Sequence, residues 1–548
     1  MAMRFARGRA TVCVLSRSSG DISYGPGSIE QAVSDIDAAG GCGFGVTCDL
    51  SSHESVDEAV KRVVAQYGRI DVLVNNASSH FEQATDELDV RRYNSMYSVG
   101  PRGAYVLTSL ALPHMRRSPN AHVLTIAPAA HLHPSYFVTP AVAYTAAKMA
   151  MTVVAMALAS AWPAAHFNTL WPAYGVVSHA TDAIARKVGS AAQAEAYLLG
   201  CCHPTMMADA AYRLVTSDHG SSAFVDQQLL RSIGVADFAP YLPLPERQTL
   251  ADLNGDYFVG APPYAPPQPA TLPPASVDSL RGARIVLVGA GELASHLARA
   301  AEAHGASVER LERCGAQPDA AGRQLVEKLS TGAGVVDALV FCGISDAEQP
   351  RLPRREAWEQ TRRRTATAAG LASDWDVCFG AACKGPYFVT QALLPLLRAS
   401  DRPRILHVVP PPLCRAGAFG DAPTPAAAVC EAVQGMYVIG HAQEFEGAIQ
   451  VNAIWAGHGA PPLRAAACLQ LLASTDEITT GTFYAANDGA TTPAAPPRSA
   501  APGAVDRGAP FTQFAGDEVV LEDASAVRLR DVDAQGGAVF FELASAGV

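Results

Sequence analysis

Charge is scarce in this chain, and what there is leans acidic. Only 17% of the 548 residues are Asp, Glu, Lys or Arg, and the net charge is −11. No dense Lys/Arg face offsets that balance, so nucleic acid is not an expected partner, because phosphate recognition needs surplus cations to displace counterions. The 12 cysteines include no Cys-x-x-Cys pair, so a zinc site would have to gather ligands from distant positions and none is expected. Adjacent Cys201 and Cys202 read as small buried hydrophobes, and this usage suits a reducing, intracellular compartment. His131 and His133 alternate on an extended stretch with no acidic or cysteine partner at suitable spacing, and are not read as ligands. The C-terminal Ala546-Gly547-Val548 is not a Ser-Lys-Leu address, which leaves cytoplasm, mitochondrion and peroxisome as alternatives.

What is plentiful is apolar: 49% of residues are hydrophobic, although only 7% are aromatic. That excludes wholesale disorder, and the length suits two large α/β domains. Two decoys need removing. Arg4, Arg7, Arg9 and Arg17 precede the first acid, Asp21, as in a transit peptide, but residues 10–15 read as a strand. The uncharged stretch from Lys148 to Asp182 is long enough to cross a bilayer, yet Pro163, Asn168 and Pro172 break it into a helix and a short buried strand, so no transmembrane segment is expected.

The chain repeats itself once. Gly103-Ala-Tyr-Val-Leu-Thr108 returns as Gly385-Pro-Tyr-Phe-Val-Thr390, and Leu112-Pro113 as Leu394-Pro395, at a shared offset of 282. Asn168 and Trp171 return as Asn452 and Trp455 at an offset of 284, and Asp71 with its apolar run returns as Asp337. Ordered matches with small loop shifts mark a duplicated domain. Residues 1–245 form the first copy and 281–490 the second, joined by a Pro-rich stretch, 246–280, expected to be extended. Residues 491–548 begin as a linker and end in short runs at 518–521, 526–530 and 538–543, expected to be strands of a small antiparallel element.

In the first copy, strand-like runs near 10–15, 44–48, 70–74, 122–127 and 167–171 alternate with helical patterns near 27–39, 54–67, 88–114 and 141–161. Such alternation demands crossovers, hence an α/β fold with a doubly wound parallel sheet whose ligand crevice lies beyond the strands' carboxyl ends. Tyr144 and Lys148 stand four apart at the start of the longest apolar helix, on one face. A nearby ammonium lowers a phenol's pKa, which lets tyrosine pass a proton to or from a carbonyl or alcohol oxygen. Three other strand ends, Cys48-Asp49-Leu50, Asn75-Asn76-Ala77-Ser78 and Leu170-Trp171-Pro172, would converge on the same edge.

In this order and spacing the motifs resemble the short-chain dehydrogenase/reductase family, and with Asp209-Ala-Ala-Tyr212 they look most like its hydroxysteroid dehydrogenase-like members. The second copy, at Tyr437-Val-Ile-Gly440 and Val451-Asn-Ala-Ile-Trp455, resembles the same subfamily. The resemblance implies a Rossmann-like fold in each copy and hydride transfer between NADP (or NAD) and a small carbonyl or alcohol substrate. It implies Tyr144 as acid/base, Lys148 as its pKa-lowering partner and ribose ligand, Asp49 against the adenine, and Asn75, Asn76 and Ala77 along the cofactor channel. Arg17, just after the first strand, would favour a 2′-phosphate and hence NADP, or is simply a solvated cation. The family's helices also pair between subunits, so the two copies are expected to form an internal pseudo-dimer or the chain a homo-oligomer.

The departures from the pattern split between the copies. In the first, the family's opening strand, glycine turn and first helix are missing, which would leave two rows of backbone groups unpaired at the sheet's centre unless a tail strand, the other copy or a partner fills the slot. The family's relay asparagine maps to Gly100, and its substrate-binding serine maps to Ala127-Pro128, with Ser135 as a weak substitute. The second copy has the turn, Gly289-Ala-Gly291-Glu-Leu-Ala294, following a strand and opening a helix, with Glu312 placed for ribose hydroxyls. Its tyrosine equivalent, however, falls among Ala426, Ala427 and Ala428, and its lysine equivalent among Cys430, Glu431 and Ala432. Chemistry is therefore expected in the first copy only, and the alternative is a non-catalytic scaffold or nucleotide sensor.

Overall fold

The structure is a computed structural model that describes residues 1–17, 28–137, 140–187, 189–217, 220–256, 258–259, 270–312, 318–330, 334–342, 367–409, 424–455, 461–474, 479–486, 512–513 and 538–542. Two parallel sheets organise it. The first has eight strands in the order β13-β6-β5-β4-β3-β14-β1-β2. These are β1 (Thr11–Ser16), β2 (Cys42–Thr47), β3 (Val72–Asn75), β4 (His122–Thr125), β5 (His166–Trp171), β6 (Ser222–Val225), β13 (Thr512–Gln513) and β14 (Ala538–Glu542). The second has six, in the order β12-β11-β10-β9-β7-β8. It comprises β7 (Arg284–Val288), β8 (Ser307–Leu311), β9 (Ala338–Phe341), β10 (Arg404–Val409), β11 (Gln450–Trp455) and β12 (Phe483–Ala485).

The empty central slot of the first sheet is filled from the far end of the chain. β14 lies parallel between β1 and β3, with Phe540 opposite both Cys13 and Leu73. The expectation of a small antiparallel tail element is corrected here for 538–542. Two unpaired strand edges in the protein's middle are a stronger demand than any local hairpin, and β14 satisfies both at once. The runs at 518–521 and 526–530 lie outside the described residues. A short helix, Ala2–Arg7, stands before β1 where no first helix was expected; Phe5 is fully buried, and Arg4 pairs with Asp209 at 2.6 Å.

The repeated residues do repeated work. Asn168 Oδ1 accepts from Ser222 N (3.0 Å) and Asn452 Oδ1 from Thr482 N (2.9 Å), so each asparagine side chain ties its strand to the next strand outward. The matched segments at 98–108 and 380–390 both open with a π-helical turn, Ser98–Arg102 and Gly380–Lys384, that runs into the helices Gly103–Met115 and Gly385–Leu397. The helix bearing Tyr144, Val142–Ala161, packs on its counterpart Pro425–Glu444, and both are buried along most of their length. Its apolar window, long enough by composition to cross a membrane, is 94% buried inside the protein. The Pro-rich stretch does not leave the first copy at residue 246: Gly255 bridges to Tyr174 and Asp256 reaches the ends of the strands, so its first part folds back over the crevice.

Candidate active site

Lys148 marks where the first sheet's strand ends meet. Its ammonium, 4% exposed, donates to the Ile126 carbonyl after β4 (3.0 Å) and to Ser78 Oγ after β3 (3.4 Å). It also stands 5.1 Å above the ring of Trp171, which ends β5. Tyr144, one helical turn earlier, is 9% exposed, and its ring meets the edge of His80 at 4.4 Å. No described residue hydrogen-bonds its hydroxyl. His80 Nε2 lies 3.1 Å from Glu82 Oε1. Asp256, from the folded-back stretch, accepts from Trp171 Nε1 (2.8 Å) and Phe258 N (2.9 Å).

Burial governs the protonation of this cluster. It lowers the Lys148 ammonium to about 8, against the opposing pull of the Asp256 charge. Burial, then the charges of Asp256 and Glu82, hold the Tyr144 phenol well above its ordinary value. The expected lowering by Lys148 is therefore corrected: burial, reinforced by the charges of Asp256 and Glu82, sets the direction of the shift. Tyr144 keeps its proton at neutral pH, as a proton donor should. Asp256 is itself raised by burial, with the Trp171 and Phe258 N–H groups and Lys148 pulling it back.

The remaining first-copy residues take distinct places. Asp49 follows β2, where its carboxylate accepts from Ser51 N (2.9 Å) and Ser51 Oγ (2.7 Å). Arg17 follows β1 directly and is exposed. Asn75 is buried, and its amide donates to Thr108 Oγ1 (2.9 Å) and Thr125 Oγ1 (3.4 Å). Asn76 is half-buried and Ala77 buried on the loop after β3. Ser135 sits in an exposed turn, 2.8 Å from His133 Nδ1. His80, Glu82 and Asp256 had no motif to announce them. The one available signal was an acid, Asp256, beside Tyr257 and Phe258 in a stretch otherwise read as linker.

The second crevice is arranged differently. At the end of β7, Gly289 (φ 130°) and Gly291 (φ 99°) adopt conformations that side chains rarely tolerate, and Gly291 caps the helix Glu292–Ala303. Ala294 is fully buried, which lets that helix close on the sheet. The turn opens on a cavity of about 970 Å³, also lined by Ala290, Glu312, Phe341, His407 and Gln434. Ala426, Ala427 and Ala428, among which the sequence places the proton donor's equivalent, are buried.

Residues 1–183 match the short chain dehydrogenase family. Hydroxysteroid dehydrogenase-like protein 2 of Xenopus laevis is 30% identical over 255 residues, 46% of this chain and 59% of that protein. Over its first copy the chain is similar to the short-chain dehydrogenase/reductase family. Its match spans about three fifths of the length of the curated relatives, 59% for the Xenopus protein. A solved short chain dehydrogenase from Mycobacterium thermoresistibile is 28% identical over 47% of this chain and 90% of its own, with a TM-score of 0.43. The C-domain of a bacterial malonyl-CoA reductase, solved with NADP, covers 88% of this chain and 96% of its own at 14% identity and a TM-score of 0.55, and so shares the fold across both copies.

The family's dinucleotide fits the two crevices unequally. The second has the positive-φ glycine turn and an open cavity for a pyrophosphate and ribose. In the first, Lys148 and Tyr144 are in place, and the residues that follow β14 lie outside the described ones.

Proposed function

We propose that the chain transfers hydride between NADP(H) and a small carbonyl or alcohol substrate at the first crevice, with Tyr144 handling the substrate's proton. The observation that supports this best is the convergence of Tyr144, Lys148, the Ile126 carbonyl and Trp171 on the carboxyl ends of β3, β4 and β5. When bound, the dinucleotide supplies or accepts the hydride. Asp49 and Arg17 would hold its adenosine end, with Arg17 meeting a 2′-phosphate. The loop of Asn76 and Ala77 would border it, and Lys148 would hold the nicotinamide ribose. Tyr144, protonated through burial and its acidic neighbours, donates to a developing alkoxide, an arrangement that favours the reductive direction. Asp256 fixes Trp171 under the lysine and keeps part of the ammonium charge in place.

The test is NADPH-dependent reduction of an aldehyde and ketone panel by wild type and Tyr144→Phe. Removing a general acid is expected to cost about 10²- to 10⁴-fold in rate. Equal rates would take Tyr144 out of the mechanism.

A second reading is favoured by the glycine turn and cavity standing in the copy that has alanines in place of the proton donor: that copy holds a nucleotide without turning it over. Fluorescence titration with NAD(H) and NADP(H) separates the two. Binding abolished by Gly291→Trp belongs to the second copy, and binding that survives it belongs to the first.

A further inference from the structure

The cavity of the second crevice has one wall that belongs to the first copy. Tyr93, Tyr97, Ser98 and Arg102 face it across from Gly289 and Ala290. Two independent observations point to a ligand there. The turn sits at the N-terminus of a 12-residue helix, a setting that takes phosphate. His407, 2% exposed, lines the same cavity, and its Nε2 has no hydrogen-bond partner among the described residues. Glu312 is placed for ribose hydroxyls, and Phe341, Trp375 and Phe379 offer ring surface for a base.

Resting on the reading that the second copy holds a nucleotide, we propose that this cavity is an effector site. A nucleoside diphosphate bound there, free or as half of a dinucleotide, is sensed at Tyr144 and Lys148 of the first copy. Tyr97 carries the connection: its hydroxyl donates to the carbonyl of Ala143, the residue before Tyr144, at 3.2 Å. It also lies 2.8 Å from the Tyr437 hydroxyl, which lies 2.7 Å from that of Tyr93. A ligand oxygen competing for Tyr97 frees the Ala143 carbonyl and redistributes this closed set of hydroxyls. A second contact runs alongside. The π-turn Ser98–Arg102 places Gly100 so that a Cβ on it would lie 3.6 Å from Met151 Sδ, and that sulfur is 3.9 Å from Lys148 Nζ. The π-turn is the element that lies between the two sites, and turns of this kind recur at functional positions in helices.

The test uses full-length protein, ADP as probe, calorimetry for binding and hydrogen exchange for transmission. ADP is expected to bind, adenosine at equal concentration to bind at least tenfold more weakly, and ADP to change exchange at residues 142–151 at least threefold. Ala290→Phe, which fills the cavity beside the turn, abolishes both effects with the melting temperature retained. Tyr97→Phe retains ADP binding and loses the change at 142–151. The proposal is overturned by no ADP binding, by binding that Ala290→Phe leaves intact, by binding without a change at 142–151, or by full transmission through Tyr97→Phe. Neither readout uses turnover, so a Tyr144→Phe variant that reduces aldehydes at the wild-type rate removes the hydride-transfer proposal and leaves this one standing.

Discussion

Asp226 is a carboxylate that the fold holds fully buried and half satisfied. Its Oδ1 accepts from Ala173 N (2.8 Å) and Gln227 N (2.6 Å), while Oδ2 has no partner among the described residues. Burial pushes its pKa up to about 7 despite those two N–H groups. A pKa raised on folding means that the native state binds the proton more tightly. The stabilisation is fully present below the unfolded value of 3.8 and is lost as pH rises through about 7. The loss is on the order of 4 kcal/mol for a shift of this size. Asp226→Asn keeps the acceptor and removes the charge, so its melting temperature at pH 8 should exceed that of wild type, and the difference should shrink at pH 4. Parallel losses in the two proteins would exonerate Asp226. Lys148 has the opposite sign: its pKa falls to about 8, so the ammonium that would hold a ribose is present below that pH and lost above it. Carbonyl reduction should therefore decline as pH passes 8. Lys148→Arg, although slower, should lack that decline because a guanidinium does not titrate there. An unchanged alkaline limb in the arginine variant would assign it to another group.

At the scale of elements, the decisive one is β14. A proline in a central strand removes a ladder donor and is tolerated essentially only at sheet edges, strand starts or bulges. Phe540→Pro, opposite Cys13 on one side and Leu73 on the other, should raise hydrogen exchange in β1 and β3 at least tenfold and leave β7 and β9 protected. Equal protection of β1 and β3 in both proteins would show the slot to be filled by something else. The need for such a strand was legible in the sequence, because β1 and β3 are recognisable as second and fourth strands with nothing between them. The identity of the filler was not, since Ala538-Val-Phe-Phe-Glu542 alternates no differently from a hairpin strand and nothing local signals a parallel partner over 500 residues away. The same boundary runs through the site. Tyr144, Lys148 and the strand-end asparagines follow from spacing, whereas His80, Glu82 and Asp256 arrive by tertiary folding, and with them the direction of the phenol's shift. The helix expected at 88–114 is there but carries the π-turn at Ser98–Arg102, whose hydrogen-bond register leaves no mark in apolar periodicity.

At the scale of the molecule, the two copies are held together chiefly by the crossing of helices Val142–Ala161 and Pro425–Glu444. The polar contacts around it are weaker than they look. Arg102 is bidentate to Asp376 at 2.8 and 3.1 Å, but Asp376 is largely exposed, and pairs of that kind contribute about 0–1 kcal/mol. Thr85 meets the Glu444 carboxylate through its N–H (2.6 Å) and hydroxyl (2.5 Å), at a site where burial raises the Glu444 pKa and so offsets part of the gain. The apolar crossing has no such penalty, and it depends on close approach. A Cβ added at Gly440 would stand 2.5 Å from Val142 Cγ1 and 3.0 Å from Phe137 Cδ1, closer than any side chain can sit without displacing the helix. Gly440→Leu is therefore expected to cost about 1–3 kcal/mol or more through overpacking, against less than about 1 kcal/mol for Asp376→Ala. Scanning calorimetry of wild type and Asp376→Ala should show a single transition, because each copy buries its helix on the other. Gly440→Leu should split it into two, one for each sheet. Should Asp376→Ala separate the transitions and Gly440→Leu leave them joined, charge rather than helix packing would be what makes one molecule of the two copies.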